Sequence, residues 1–130
     1  MSCPDCGASV VAFTLPDALD GVLPDDRPAA ALCTRCLRVA PLESPPTAPP
    51  AFGAVSDAFP ADPEAGAAAA AMLALLDSPG LYRAELRALV EYLEVAGDDP
   101  FLLLSRLADD PDLDPAVDLS RRSRQLEQLL

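Results

Sequence analysis

Four cysteines arranged as two Cys-x-x-Cys pairs set the terms on which this chain folds. The first pair lies in Cys3-Pro4-Asp5-Cys6-Gly7 and the second in Cys33-Thr34-Arg35-Cys36-Leu37, with 26 residues between Cys6 and Cys33. Two residues between cysteines let one tight turn aim both sulfurs at a shared point. Two such turns set face to face give the closed, tetrahedral four-sulfur cage that Zn²⁺ prefers. We therefore expect Cys3, Cys6, Cys33 and Cys36 to hold one Zn²⁺ per chain. The interval between the pairs is longer than usual for such a site, so a loop must be inserted. Pro4 fixes φ on the first turn, and Gly7 supplies the positive φ that follows its second sulfur. Leu37 stands where the second turn would carry that glycine, which leaves the second knuckle less well specified.

Other uses of paired cysteines fit less well. A thioredoxin-like redox motif needs a βαβ pattern around it, and none is visible. Disulfides belong to oxidising compartments. The N-terminus shows no basic region followed by an apolar run, so we expect no signal peptide and a cytoplasmic protein. The longest apolar run, Ala65 to Leu76, is twelve residues against the ~20 needed to span a bilayer. It reads as a buried helix, and no membrane association is expected.

The rest of the chain divides at a Pro-rich stretch. Residues 1–40 read as a zinc ribbon built of short β-hairpins. Val10, Val11, Phe13 and Leu15 form a strand after the first knuckle, and Ala30–Leu32 and Leu37–Ala40 lead into and out of the second. Pro16–Pro28, with Asp17, Asp20, Gly21, Asp25 and Asp26, has loop composition with one helical turn around Leu19. Forty residues bury little apolar surface, so metal ligation is expected to supply most of this module's folding free energy. Residues 41–50 contain five prolines and read as an extended linker. Residues 51–130 read as an α-helical bundle of three to four helices. The fold class expected is therefore small α+β.

Helix starts in the second half are marked by an acid or serine before proline, at Asp62-Pro63, Ser78-Pro79, Asp99-Pro100 and Asp114-Pro115. Phe52, Val55 and Phe59 lie on one face of a short helix closed by Pro60. Pro63–Leu76 has no polar face and should be the central helix. Pro79–Ala96 is amphipathic, with Leu86, Leu89, Val90 and Leu93 on its apolar stripe and Gly97 as its C-terminal cap. A shorter helix carries Phe101, Leu103, Leu104 and Leu107. The last runs from about Pro115 to the C-terminus.

Charge narrows the function. The formal net charge is −12, with nine Arg, no Lys, fifteen Asp and six Glu. An acidic, lysine-free, Ala-rich chain looks like the cytosolic proteins of extreme halophiles, in which net charge maintains solubility in screening salt. With no histidine, no Ser-His-Asp or Cys-His pair can form, and only carboxylates and Tyr82 or Tyr92 remain for acid/base work, with no pairing among them evident. Residues 1–40 carry a net −2, residues 41–118 a net −12 and residues 119–130 a net +2. Arg121, Arg122 and Arg124 give that last segment its sign, with Asp114, Asp118 and Glu127 as surface partners. Asp109, Asp110, Asp112 and Asp114 form an acidic loop that lacks the ligand order of a calcium loop.

The Cys3-Pro4-x-Cys6-Gly7 start, the Cys33–Leu37 partner and the tail Gln125-Leu126-Glu127-Gln128-Leu129-Leu130 resemble an uncharacterised haloarchaeal family, a domain of unknown function. Its members are similar to small CPxCG-related zinc finger proteins. The resemblance covers nearly the whole chain and implies four-Cys zinc binding, with no activity, substrate or partner attached. We expect a non-catalytic, zinc-binding interaction module with a regulatory role and another protein as partner. The alternative is a nucleic-acid-binding zinc ribbon of transcription or translation, disfavoured by charge. Below it stands a CxxC thiol oxidoreductase. No small-molecule substrate is evident.

Overall fold

A computed structural model describes residues 1–24 and 29–130. Asp25 and Asp26 of the expected loop lie outside the described residues. The chain is a small α+β protein. Its N-terminal part is a three-stranded antiparallel sheet, with β1 at Val10–Thr14, β2 at Ala29–Cys33 and β3 at Val39–Leu42 in the order β1-β2-β3. Val10 pairs with Cys33 and Leu32 with Val39, so the sheet register places strand ends at the second knuckle. All five residues of β2 are buried, as a central strand of small and apolar residues requires. A 3-10 turn at Asp17–Leu19 buries Leu19, as its position in the loop suggested. β3 takes in Pro41 and Leu42, the first two residues of the Pro-rich stretch.

Four helices follow: α1 at Pro63–Leu75, α2 at Arg83–Val95, α3 at Pro100–Ala108 and α4 at Leu119–Leu129. Asp62 caps α1 by accepting from the amide of Ala65, and Asp99 caps α3 by accepting from those of Phe101 and Leu102. The other two proline signals do not start helices. After Pro79, Gly80 continues a turn in which the amides of Leu81 and Tyr82 donate to the Ser78 carbonyl, and α2 begins only at Arg83. Around Pro115 the backbone is engaged elsewhere, and α4 begins four residues later, capped by Asp118 through the Arg121 amide. Gly97 closes α2 at φ 91°, with the Asp98 amide on the Leu93 carbonyl. The expected helix at Phe52–Phe59 is a 3-10 turn over Phe52–Ala54.

One apolar core runs from the sheet into the helices. It joins Val11, Phe13, Leu32 and Leu37 to Phe52, to the buried length of α1, and to Leu104, Leu107 and Leu126. α1 is buried from Ala65 to Leu73 without a break. Its run of alanines allows close approach on every side. It packs against α2 and β3, while α3 packs against α4. Phe52 packs between the sheet and α1. Its ring lies 5.8 Å from that of Phe13 and stacks on Phe59 at 5.3 Å. The same ring covers Gly66, where a Cβ would stand 2.8 Å from Cε2 and closer still to Cδ2. Glycine at this helical position is therefore a packing requirement.

Candidate metal centre

Each knuckle is a turn that ends in the left-handed region of the backbone. After Cys3–Cys6 the chain turns at Gly7, φ 80°, whose amide donates to the Cys3 carbonyl at 2.9 Å. After Cys33–Cys36 it turns at Leu37, φ 62°. Leu37 thus adopts the conformation that a glycine would have supplied. The left-handed geometry costs an L-residue about 1–2 kcal/mol. Leu37 offsets that by burying its side chain in the main core, 5% exposed. The departure from the glycine pattern is a leucine anchor, and the second knuckle is tied to the core by it.

Backbone and side-chain bonds then set the two knuckles against each other. The Thr34 amide and hydroxyl both donate to the Ser9 carbonyl, at 3.0 and 2.9 Å. The Ser9 and Thr34 hydroxyls are 3.1 Å apart. Ser2 and Ser9 form an isolated antiparallel bridge, and Arg38 Nε lies 3.8 Å from Asp5 Oδ2. Both members of that ion pair are more than half exposed, so it contributes little.

The outcome is convergence of all four sulfurs. Cys3 Sγ lies 3.7 Å from Cys36 Sγ and Cys6 Sγ lies 3.4 Å from Cys33 Sγ, with all four within 4.8 Å of one another. These two contacts run across the pairs, as a shared cage demands. All four cysteines are free; Cys3, Cys33 and Cys36 are buried and Cys6 is exposed. Such a set of four soft donors could hold a metal ion. Among the described residues no other group of three or more His, Cys, Asp or Glu side chains converges in this way.

The surroundings split the thiols electrostatically. Burial pushes the Cys33 thiol up, but the amides of Cys36 and Arg35, each donating to its sulfur at 3.4 Å, together with the neighbouring thiols of Cys6 and Cys36, outweigh this and bring it down to about 7. For Cys36, burial dominates. The Arg38 amide counters it, while the neighbouring thiols of Cys33, Cys3 and Cys6 add to it, and the group is pushed up to about 12. Amide donors stabilise sulfur as thiolate, the form that ligates.

A segment that the sequence left as an acidic surface loop also reaches this centre. The Asp114 amide donates to the Arg35 carbonyl at 2.8 Å, and the Ala116 amide to the Cys36 carbonyl at 2.9 Å. Leu113 is buried beneath the loop. The apolar residues Leu113 and Val117, set among aspartates, were the signal for a docked segment. Of the acids, Asp110 serves a local turn, its Oδ1 accepting from the Asp112 amide at 2.9 Å.

The other residues singled out from sequence fall outside the centre. Among the described residues Arg121, Arg122 and Arg124 pair with no carboxylate: Asp118 is occupied as the cap, and Arg122 donates to Gln125 at 3.0 Å. Tyr92 is paired after all. Its hydroxyl donates to Glu64 at 3.1 Å, pinning α2 to the first turn of α1. Burial first and then Glu64 raise the pKa of the phenol. No described helix is long and apolar enough to cross a membrane.

The model of a family of unknown function (DUF6276) matches residues 2–130. No curated protein and no solved structure matches the chain.

Proposed function

We propose that this chain, which belongs to the DUF6276 family, is a zinc-stabilised protein-interaction module of the cytoplasm, regulatory and non-catalytic. The observation that carries the proposal is the four-sulfur cage. Thiolates each about 2.3 Å from a tetrahedral Zn²⁺ stand about 3.8 Å from one another, and the sulfur contacts of 3.4 and 3.7 Å lie close to that spacing. Four protein donors leave no coordination position for water or substrate, which is the arrangement of a structural site. Cys3, Cys6, Cys33 and Cys36 would hold the ion, and the ion would supply cross-linking of the two knuckles. The chain's own contribution is to orient the sulfurs through the Gly7 and Leu37 turns and to stabilise thiolate on Cys33 through two amides.

Charge supports a protein partner over a nucleic acid. Residues 1–118 carry a net −14 against the +2 of residues 119–130, so a polyanion laid along the molecule meets mostly like charge. The lysine-free, acidic composition supports a halophilic setting, and the cysteine pattern supports kinship with small CPxCG zinc finger proteins. The test has two arms. Native mass spectrometry of reduced protein made in high salt should show one zinc per chain, and less than about half a zinc would sink the metal reading. Binding to DNA and RNA over a salt series should be weak throughout. Tight binding that falls steeply with salt and is lost when Arg121, Arg122 and Arg124 become Ala would instead establish the nucleic-acid alternative.

A further inference from the structure

The segment leading into the last helix is joined to the cysteine cage by two backbone hydrogen bonds. The chain leaves α3, and its Asp114 and Ala116 amides donate to the carbonyls of Arg35 and Cys36, the third and fourth residues of the second Cys-x-x-Cys. The intervening Pro115 has no donor, so every amide between 114 and 116 is spent on the knuckle. A cavity of about 230 Å³ beside the cage is walled by Cys3, Cys36 and Leu37 on one side and by Ala116, Val117 and Leu119 on the other. Leu119, the first residue of α4, is buried. The carbonyls that hold the segment belong to the Cys33–Cys36 turn itself, so their positions follow the geometry of that turn.

We propose that metal binding in the cage and docking of the 114–116 segment with α4 are one coupled equilibrium. This rests on the reading that a metal ion occupies the cage, and it adds that the ion controls a helix about 80 residues further along the chain. Closing the turn around a metal fixes the Arg35 and Cys36 carbonyls in the geometry that accepts from Asp114 and Ala116. Opening it removes both acceptors together. α4 then keeps its contact with α3 and the bond from Arg83 Nε to the Leu129 carbonyl at 2.9 Å, but loses the anchor at its N-terminal end. α4 carries Arg121 and Arg124, which are exposed and, among the described residues, paired with no carboxylate. Its placement therefore decides where the net-positive C-terminal segment of an acidic molecule is presented. The coupling must be reciprocal: what the metal does for the segment, the segment does for metal affinity.

Hydrogen exchange on the full chain tests both directions, with metal content measured by native mass spectrometry on the same samples. In the zinc-loaded protein the amides of Asp114, Ala116, Arg121 and Arg122 should be protected, and chelation should raise their exchange at least tenfold while α1 stays protected. Ala116→Pro, which deletes one donor, should weaken zinc binding about fivefold, the equivalent of one backbone hydrogen bond. Leu119→Ala, which loosens α4 through packing instead, should weaken it in the same direction. Zinc binding with unchanged exchange at 114–122 on chelation overturns the coupling and leaves the metal site standing. If chelation unfolds the whole chain, the variants decide: unchanged zinc affinity in both overturns the proposal. Protein that binds no metal overturns both readings.

Discussion

Leu37 offers a test in which the usual ranking of two substitutions reverses. At an ordinary site, glycine is less stable than alanine by about 0.5–1 kcal/mol because it loses more backbone entropy on folding. Leu37 sits at φ 62° with a buried side chain. Leu37→Ala removes the side chain, at a cost of about 2–5 kcal/mol for a buried leucine, and keeps the left-handed strain. Leu37→Gly removes the same side chain and relieves about 1–2 kcal/mol of strain. Setting that relief against the entropy term leaves the glycine variant more stable than the alanine variant by up to about 1.5 kcal/mol. Both should be less stable than the wild type, since burial outweighs strain. Guanidinium denaturation of the metal-loaded proteins at constant ionic strength, with the m-value unchanged, measures the order. Alanine above glycine, the ordinary ranking, would refute the strain argument. Glycine above wild type would refute the claim that the leucine anchors the knuckle.

Gly66→Ala should destabilise by about 1–3 kcal/mol, the cost of overpacking, although alanine is the better helix former by about 1 kcal/mol; a rise in Tm would contradict the close approach of Phe52 to α1. Cys36→Ser should abolish stoichiometric metal binding, read by native mass spectrometry, because a structural site rarely survives loss of a thiolate. Apparent metal affinity should rise with pH across neutrality. Cys36, pushed up to about 12, must shed a proton on ligation throughout that range, whereas Cys33, at about 7, does so progressively less as pH climbs. Calorimetry in buffers of different ionisation enthalpy reads the released protons, and affinity unchanged from about pH 6 to 9 would refute it.

How far the sequence foretold this arrangement depends on whether the information was local. The cage was legible because two-residue spacing between cysteines dictates the turn, and the sulfurs converge as that spacing requires. The strands beside the knuckles and the Asp62 and Asp99 caps were legible for the same reason. Ser78-Pro79 and Asp114-Pro115 carried the same local signal, yet neither caps a helix. In each case the backbone beyond the proline is claimed by a competing hydrogen bond, within a turn at Ser78 and across the fold at Arg35 and Cys36. The second competitor lies some 80 positions away and leaves no periodic trace. In the sequence Leu37 leaves its knuckle less well specified, because the missing glycine is visible in a pattern and the compensating burial is not. Phe52 shares an apolar face with Val55 and Phe59 in the sequence, but its role against Gly66 and Phe13 depends on how sheet and helix approach.

The central claim is that the four cysteines together ligate one zinc ion and close the two knuckles onto each other. X-ray absorption at the zinc edge of the loaded protein measures this directly. The account predicts a first shell of four sulfurs at about 2.3 Å and nothing else. A shell containing nitrogen or oxygen, or fewer than four sulfurs, would contradict it.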